Sequence, residues 1–131
     1  MPPWAAALAL TLVVEVPLVA AFYGGQRWRM AAVSVVMNAA TNLTLNLLLP
    51  RLPGLRGGHH VLPGELLATL SEAAAYALAS RPRDLPRALF VSSLANGCSF
   101  SAGWLFFVRW APAYHRLFGL LTVGAAHGRL G

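Results

Sequence analysis

Long apolar runs alternate with short polar breaks along this chain. Four runs are long enough to cross roughly 30 Å of hydrocarbon at about 1.5 Å per residue. They extend from Trp4 to Tyr23, Met30 to Leu49, Leu62 to Ser80 and Ala88 to Trp110. The third is the least apolar and the fourth the longest. Between them lie Gly24-Gly25-Gln26-Arg27, a Pro-, Gly- and Arg-rich stretch from Pro50 to Pro63, and Arg81-Pro82-Arg83-Asp84-Leu85-Pro86. Links this short make sequential helices antiparallel neighbours. Lipid solvates no backbone polar group, which leaves helices as the consistent way to span. The pattern predicts an all-α fold: a polytopic transmembrane bundle of four helices over residues 1–110, then an interfacial tail over 111–131. Within that tail the apolar stretch from Leu117 to Ala126 is too short to span, and Tyr114, His115 and Arg116 suit headgroup depth.

Composition supports the lipid environment. Of 131 residues, 57% are hydrophobic and only 11% charged, with a mean hydropathy of +0.60. A water-soluble domain carries about a quarter charged residues. The net charge of +6 comes entirely from arginine on the basic side. These arginines flank the apolar runs, as membrane anchors do, and no basic helix face, zinc pattern or aromatic platform accompanies them. Nucleic acid is therefore not an expected partner. Met1 precedes Pro2 and Pro3 without a basic n-region, so the first run is expected to remain as a helix. Five arginines fall on each side of the predicted bundle. The first helix has no charged side chain before it and Arg27 and Arg29 after it, which places the N-terminus outside.

Polar residues inside the runs change the picture most. The second run contains Ser34-x3-Asn38-x2-Thr41 and the fourth Ser92-x3-Asn96-x2-Ser99. This shared spacing puts three polar groups on one helical face. Each is preceded by a run with an internal glutamate, Glu15 and Glu72. Two readings stay open: two duplicated helical hairpins, or chance recurrence of small polar residues at helix contacts. In either case Glu15, Asn38, Glu72 and Asn96 each lie about eight residues from helix ends on one side, roughly 12 Å deep.

Such groups are costly in a membrane, commonly about 2.5–3.5 kcal/mol each, and tend to face a bundle interior. No arginine lies at the depth of Glu15 or Glu72, which leaves three resolutions: protonation, a bound cation, or a basic group from another subunit. The plain alternative is a structural clasp of interhelical hydrogen bonds. Further polar positions surround this core. Glu65, Thr69, Glu72 and Tyr76 form one stripe on the third run, with Glu65 expected to serve the helix start. Asn38, Asn42 and Asn46 form another on the second, which favours a central place or a partner for that helix. Ser99-x3-Gly103 is a small-residue pair suited to close helix approach. Pro17 frees a backbone carbonyl near Val13. His59 and His60 lack further metal ligands nearby. Cys98 is alone, and no catalytic or nucleotide-binding motif occurs. No cofactor or metal is expected.

Glu15-Val16-Pro17, Asn38-Ala39-Ala40-Thr41-Asn42, Glu72-x3-Tyr76 and Ser92-x3-Asn96-x2-Ser99-Phe100-x2-Gly103 resemble the pattern of small four-helix bacterial membrane proteins of unassigned activity. The resemblance covers about Glu15 to Gly103 and departs from it at Asn42-Leu43, where Asn-Pro is expected. It implies a multi-pass protein of the bacterial inner membrane and carries no activity. The leading functional expectation is a non-enzymatic membrane subunit or scaffold, packing against other subunits or its own copies through polar helix faces. The alternative is a proton- or cation-coupled transport component using Glu15 and Glu72.

Overall fold

The computed structural model describes residues 3–48, 51 and 61–127, and among them every regular element is helical. Helix α1 spans Pro3–Phe22, α2 Arg27–Leu43, α3 Val61–Ala79 and α4 Leu85–His127. A 3-10 turn, Gly24–Gln26, joins α1 to α2, and a π-helical turn, Thr44–Leu48, extends α2. The four cores of these helices coincide with the four apolar runs. His59, His60 and most of the connection they belong to lie outside the described residues.

Local chemistry explains the helix ends. Gly24 adopts φ +24°, a conformation L side chains rarely take, and this closes the first turn. Asp84 caps α4: its Oδ1 accepts the Arg87 backbone N–H at 3.0 Å, with Pro86 in the first turn, where no N–H partner is required. Pro17 is accommodated within α1 and faces outward. The backbone of α4 continues in one helix past Ala111-Pro112 to His127.

Each helix packs against two others. The pairs are α1 with α2, α3 with α4, α1 with α4 and α2 with α3, so α1 and α3 lie diagonally, as do α2 and α4. The interior is divided. Toward the turn that carries Gly24 it is filled by Val19, Tyr23, Met30, Tyr76, Ala88, Val91 and Ala95. Further in, it is polar: Glu15, Ser34, Glu72 and Ser92 are wholly buried and Asn38 is 2% exposed. Meanwhile Leu62, Trp28 and Val13 are 81%, 78% and 71% exposed. Polar inside and apolar outside is the reverse of a water-soluble bundle. Two helical stretches, Trp4–Phe22 and Leu85–Phe106, are long and apolar enough to cross a membrane. The other two helices are less apolar for a visible reason: α2 carries Arg27, Arg29, Asn38 and Asn42, and α3 carries Glu65 and Glu72.

Candidate functional site

The polar residues of the four helices meet in the bundle interior. The Asn96 side-chain amide donates to Glu72 Oε2 at 2.5 Å, and Thr41 Oγ1 lies 3.3 Å from Glu72 Oε1. Ser99 Oγ is hydrogen-bonded to Glu15 Oε1. Asn38 lies beside Glu15. Both asparagines are held by their own helix in the same way. Asn38 Nδ2 donates to Ser34 O at 3.0 Å and to Ser34 Oγ at 3.2 Å, and Asn96 Nδ2 to Ser92 O at 3.0 Å and Oγ at 3.4 Å. The shared Ser-x3-Asn spacing therefore has a local purpose: a serine one turn back fixes the amide. The correspondence extends across the bundle. Each glutamate meets a hydroxyl from the opposite hairpin, Glu15 with Ser99 of α4 and Glu72 with Thr41 of α2.

The two halves differ at one atom. Glu72 has both oxygens engaged, whereas Glu15 Oε2 is buried without a hydrogen-bond partner. Asn38 interacts with Glu15, but its amide is directed to Ser34 and leaves Glu15 Oε2 unpaired, whereas Asn96 reaches Glu72 Oε2 at 2.5 Å. A cleft of about 450 Å³ adjoins Glu15 on this side. It runs toward the ends where α1 and α3 begin and α2 finishes. Its walls come from all four helices: Leu10 and Thr11 of α1, Asn42 of α2, Asn46 of the π-helical turn, Glu65 of α3, and Phe100 and Trp104 of α4. Glu15, Thr41, Asn96 and Ser99 form its polar floor. No basic side chain lines it among the described residues.

The hydroxyls give this site two electronic states in one geometry. Thr41 Oγ1 is 2.9 Å from Met37 O, and Ser99 Oγ is 3.1 Å from Asn96 O. Each hydroxyl has one proton and at least two acceptors within reach, a glutamate oxygen and a backbone carbonyl. Facing a carboxylate, it donates to the carboxylate. Facing a carboxylic acid, it turns to the backbone carbonyl and accepts the acid proton. Either protonation state of these carboxyls can thus be hydrogen-bonded by hydroxyl rotation alone.

Sequence reasoning and geometry diverge at several positions. Glu65 was expected to serve the start of α3. Instead it is half-buried on the cleft wall, close enough to Glu15 for their charges to interact, and among the described residues its carboxyl caps no N–H. Gly103 does not mediate a close helix approach: it borders the cleft, and a Cβ there would meet nothing within 4 Å. Asn42 and Asn46 are linked along the helix, Asn46 Nδ2 donating to Asn42 Oδ1 at 3.1 Å and to Asn42 O at 2.9 Å. Thr69 Oγ1 donates to Glu65 O, and Thr69 O accepts from Ser92 Oγ at 2.8 Å. Tyr76 is fully buried with its hydroxyl unpartnered. The aromatic wall, Phe100 and Trp104, was missed, although its one-turn spacing beyond Asn96 is visible in the sequence. Among the described residues no group of three or more His, Cys, Asp or Glu side chains is arranged to hold a metal ion. No known protein family, curated protein or solved structure matches the chain.

Proposed function

We propose that this chain is a four-span protein of the bacterial inner membrane, its N-terminus outside, which binds and exchanges protons or monovalent cations at Glu15 and Glu72. The observation that carries this reading is that Glu15 and Glu65 line one cleft, with Glu72 in electrostatic reach of both, and that no basic side chain lines it among the described residues. A structural clasp needs every polar atom satisfied, since an unpaired buried group costs about 1–3 kcal/mol. Glu15 Oε2 is not satisfied. A carboxylate with a free oxygen beside a cleft is suited to an exchangeable cation. The inverted pattern of polar core and apolar surface supports all four helices being in lipid, with the outer faces of α2 and α3 contributing Val35, Val36, Leu66 and Leu70.

Flux through proteoliposomes tests this reading. Glu15→Gln combined with Glu72→Gln should abolish proton- or cation-dependent flux, and unchanged flux overturns it. The subunit reading also has an observation in its favour. Ser93, Gly97 and Ser101, at four-residue spacing, lie exposed on the outward side of α4 and border a shallow groove there. Small residues so placed permit close helix approach. A Gly97→Leu variant that still assembles with its native partners would remove that support.

A further inference from the structure

We propose that the cleft is a binding site for a hydrophobic organic cation, an amine or quaternary ammonium, which takes the place of the acid proton at Glu15. The proposal rests on the proton- or cation-binding reading above and specifies its ligand. Three features point to this chemistry rather than to a bare metal ion.

The first is size. About 450 Å³ is far more than a dehydrated alkali ion fills, and lies within the ~300–1,000 Å³ of small-molecule pockets. The second is the distribution of charge. Glu15 forms part of the floor, Glu65 stands on the wall, and Glu72 lies behind the floor within electrostatic reach of both. Around Glu15, the polar groups that α2 and α4 contribute to the cleft are amides and hydroxyls, and Tyr76 of α3 lies deeper. Among the described residues every titratable group lining the cleft is therefore an acid, so their field favours a positive guest. Glu15, wholly buried on the floor with its Oε2 unpaired by any donor, supplies the countercharge.

The third is the character of the walls. Phe100 and Trp104 stand one turn apart on α4, with Leu10 and Leu45 among the apolar positions beside them. An ammonium over an aromatic face is attracted by the ring quadrupole, most strongly by tryptophan, while alkyl or aryl substituents occupy the apolar wall. An alkali ion uses neither feature. The exchange is balanced: the Glu15 carboxylic acid releases its proton to solvent, and the resulting carboxylate neutralises the bound cation.

The full chain in lipid nanodiscs, titrated with benzyltrimethylammonium in weak buffer, tests the proposal. Neopentylbenzene, of the same shape without the charge, is the control. Saturable binding of the cation alone is expected, with about one proton released per cation bound. Glu15→Gln should weaken binding at least about tenfold. Trp104→Ala changes an exposed residue, and should weaken it about two- to fivefold. Glu65→Gln should weaken it less than Glu15→Gln while leaving proton release intact. Equal binding of neopentylbenzene, or a Trp104→Ala variant with unchanged affinity, overturns the proposal. If benzyltrimethylammonium fails but sodium or potassium releases protons from wild type and not from Glu15→Gln with Glu72→Gln, the organic-cation proposal falls and the parent reading stands. If no cation releases protons, both fall.

Discussion

The two ends of this bundle are built on opposite principles. At the end that carries Arg27, Arg81 and Arg87, the helices are closed over an apolar core. Tyr23 and Tyr76 pack with ring centroids 6.4 Å apart, and the Arg87 guanidinium lies 4.9 Å from the Tyr23 ring centroid. Arg87 also donates to the Phe22 carbonyl. Gln26 bridges the two hairpins, donating to Arg81 O at 2.6 Å and accepting from Arg81 N at 3.0 Å. At the other end the helices separate around a polar cleft with an unpaired carboxyl oxygen. One end holds the hairpins together by packing and a backbone latch. The other leaves room for a guest. This division lets the closed end carry the stability that the open end forgoes.

Substitutions rank the two ends. Tyr76→Ala should be the most damaging, because it removes a fully buried ring from the closed core. A loss of about 3–5 kcal/mol in reversible unfolding from mixed micelles is expected. A loss below about 1 kcal/mol would mean that the aromatic layer is not what joins the hairpins. Asn96→Leu takes away the amide donor to Glu72 and leaves Oε2 unsatisfied, at a cost of about 1–3 kcal/mol. Asn38→Leu should cost less, because Asn38 makes no closed bond to Glu15; equal losses would erase the asymmetry between the two halves.

Gln26→Ala removes two exposed hydrogen bonds and should cost about 1–2 kcal/mol, detectable as a lower thermal midpoint. Tyr76→Phe deletes a buried hydroxyl that stands beside Ser34 without closing a well-formed hydrogen bond. It should be neutral or stabilising, within about 0.5 kcal/mol, and a clear loss would reveal a partner for that hydroxyl. Gly103→Ala should change stability least of all, since the added methyl meets only cleft space. Its effect belongs in ligand affinity, and a stability change beyond about 0.5 kcal/mol would mean that the cleft closes in solution.

Much of this was legible from residue order. The four helices follow from the length of the apolar runs and from breaks built of Gly, Pro and Arg. The burial of Glu15, Asn38, Glu72 and Asn96 follows from their matching positions within those runs, because antiparallel helices of similar length bring equal distances from one end to equal depth. The repeated Ser-x3-Asn spacing was visible as well, and a helix turn suffices to pair each serine with its asparagine. What stays within one helix, or depends only on distance along it, is fixed by 1.5 Å rise and 3.6 residues per turn.

The rest depended on which faces meet. Nothing in the spacing says that Glu15 pairs with Ser99 across the bundle, or that Glu72 bonds Asn96 while Glu15 keeps a free oxygen. Helix rotation decides those pairings, and rotation is set by the packing of Val19, Met30, Tyr76 and Val91 at the closed end. The same rotation moves Glu65 from an expected helix-start role onto the cleft wall, turns Gly103 toward open space, and exposes Ser93, Gly97 and Ser101 on the outside. Sequence determined the helices and the depth of their polar groups, because both are properties of a single chain segment. Only tertiary structure decided which oxygen was left unpaired, because a vacancy exists only between segments.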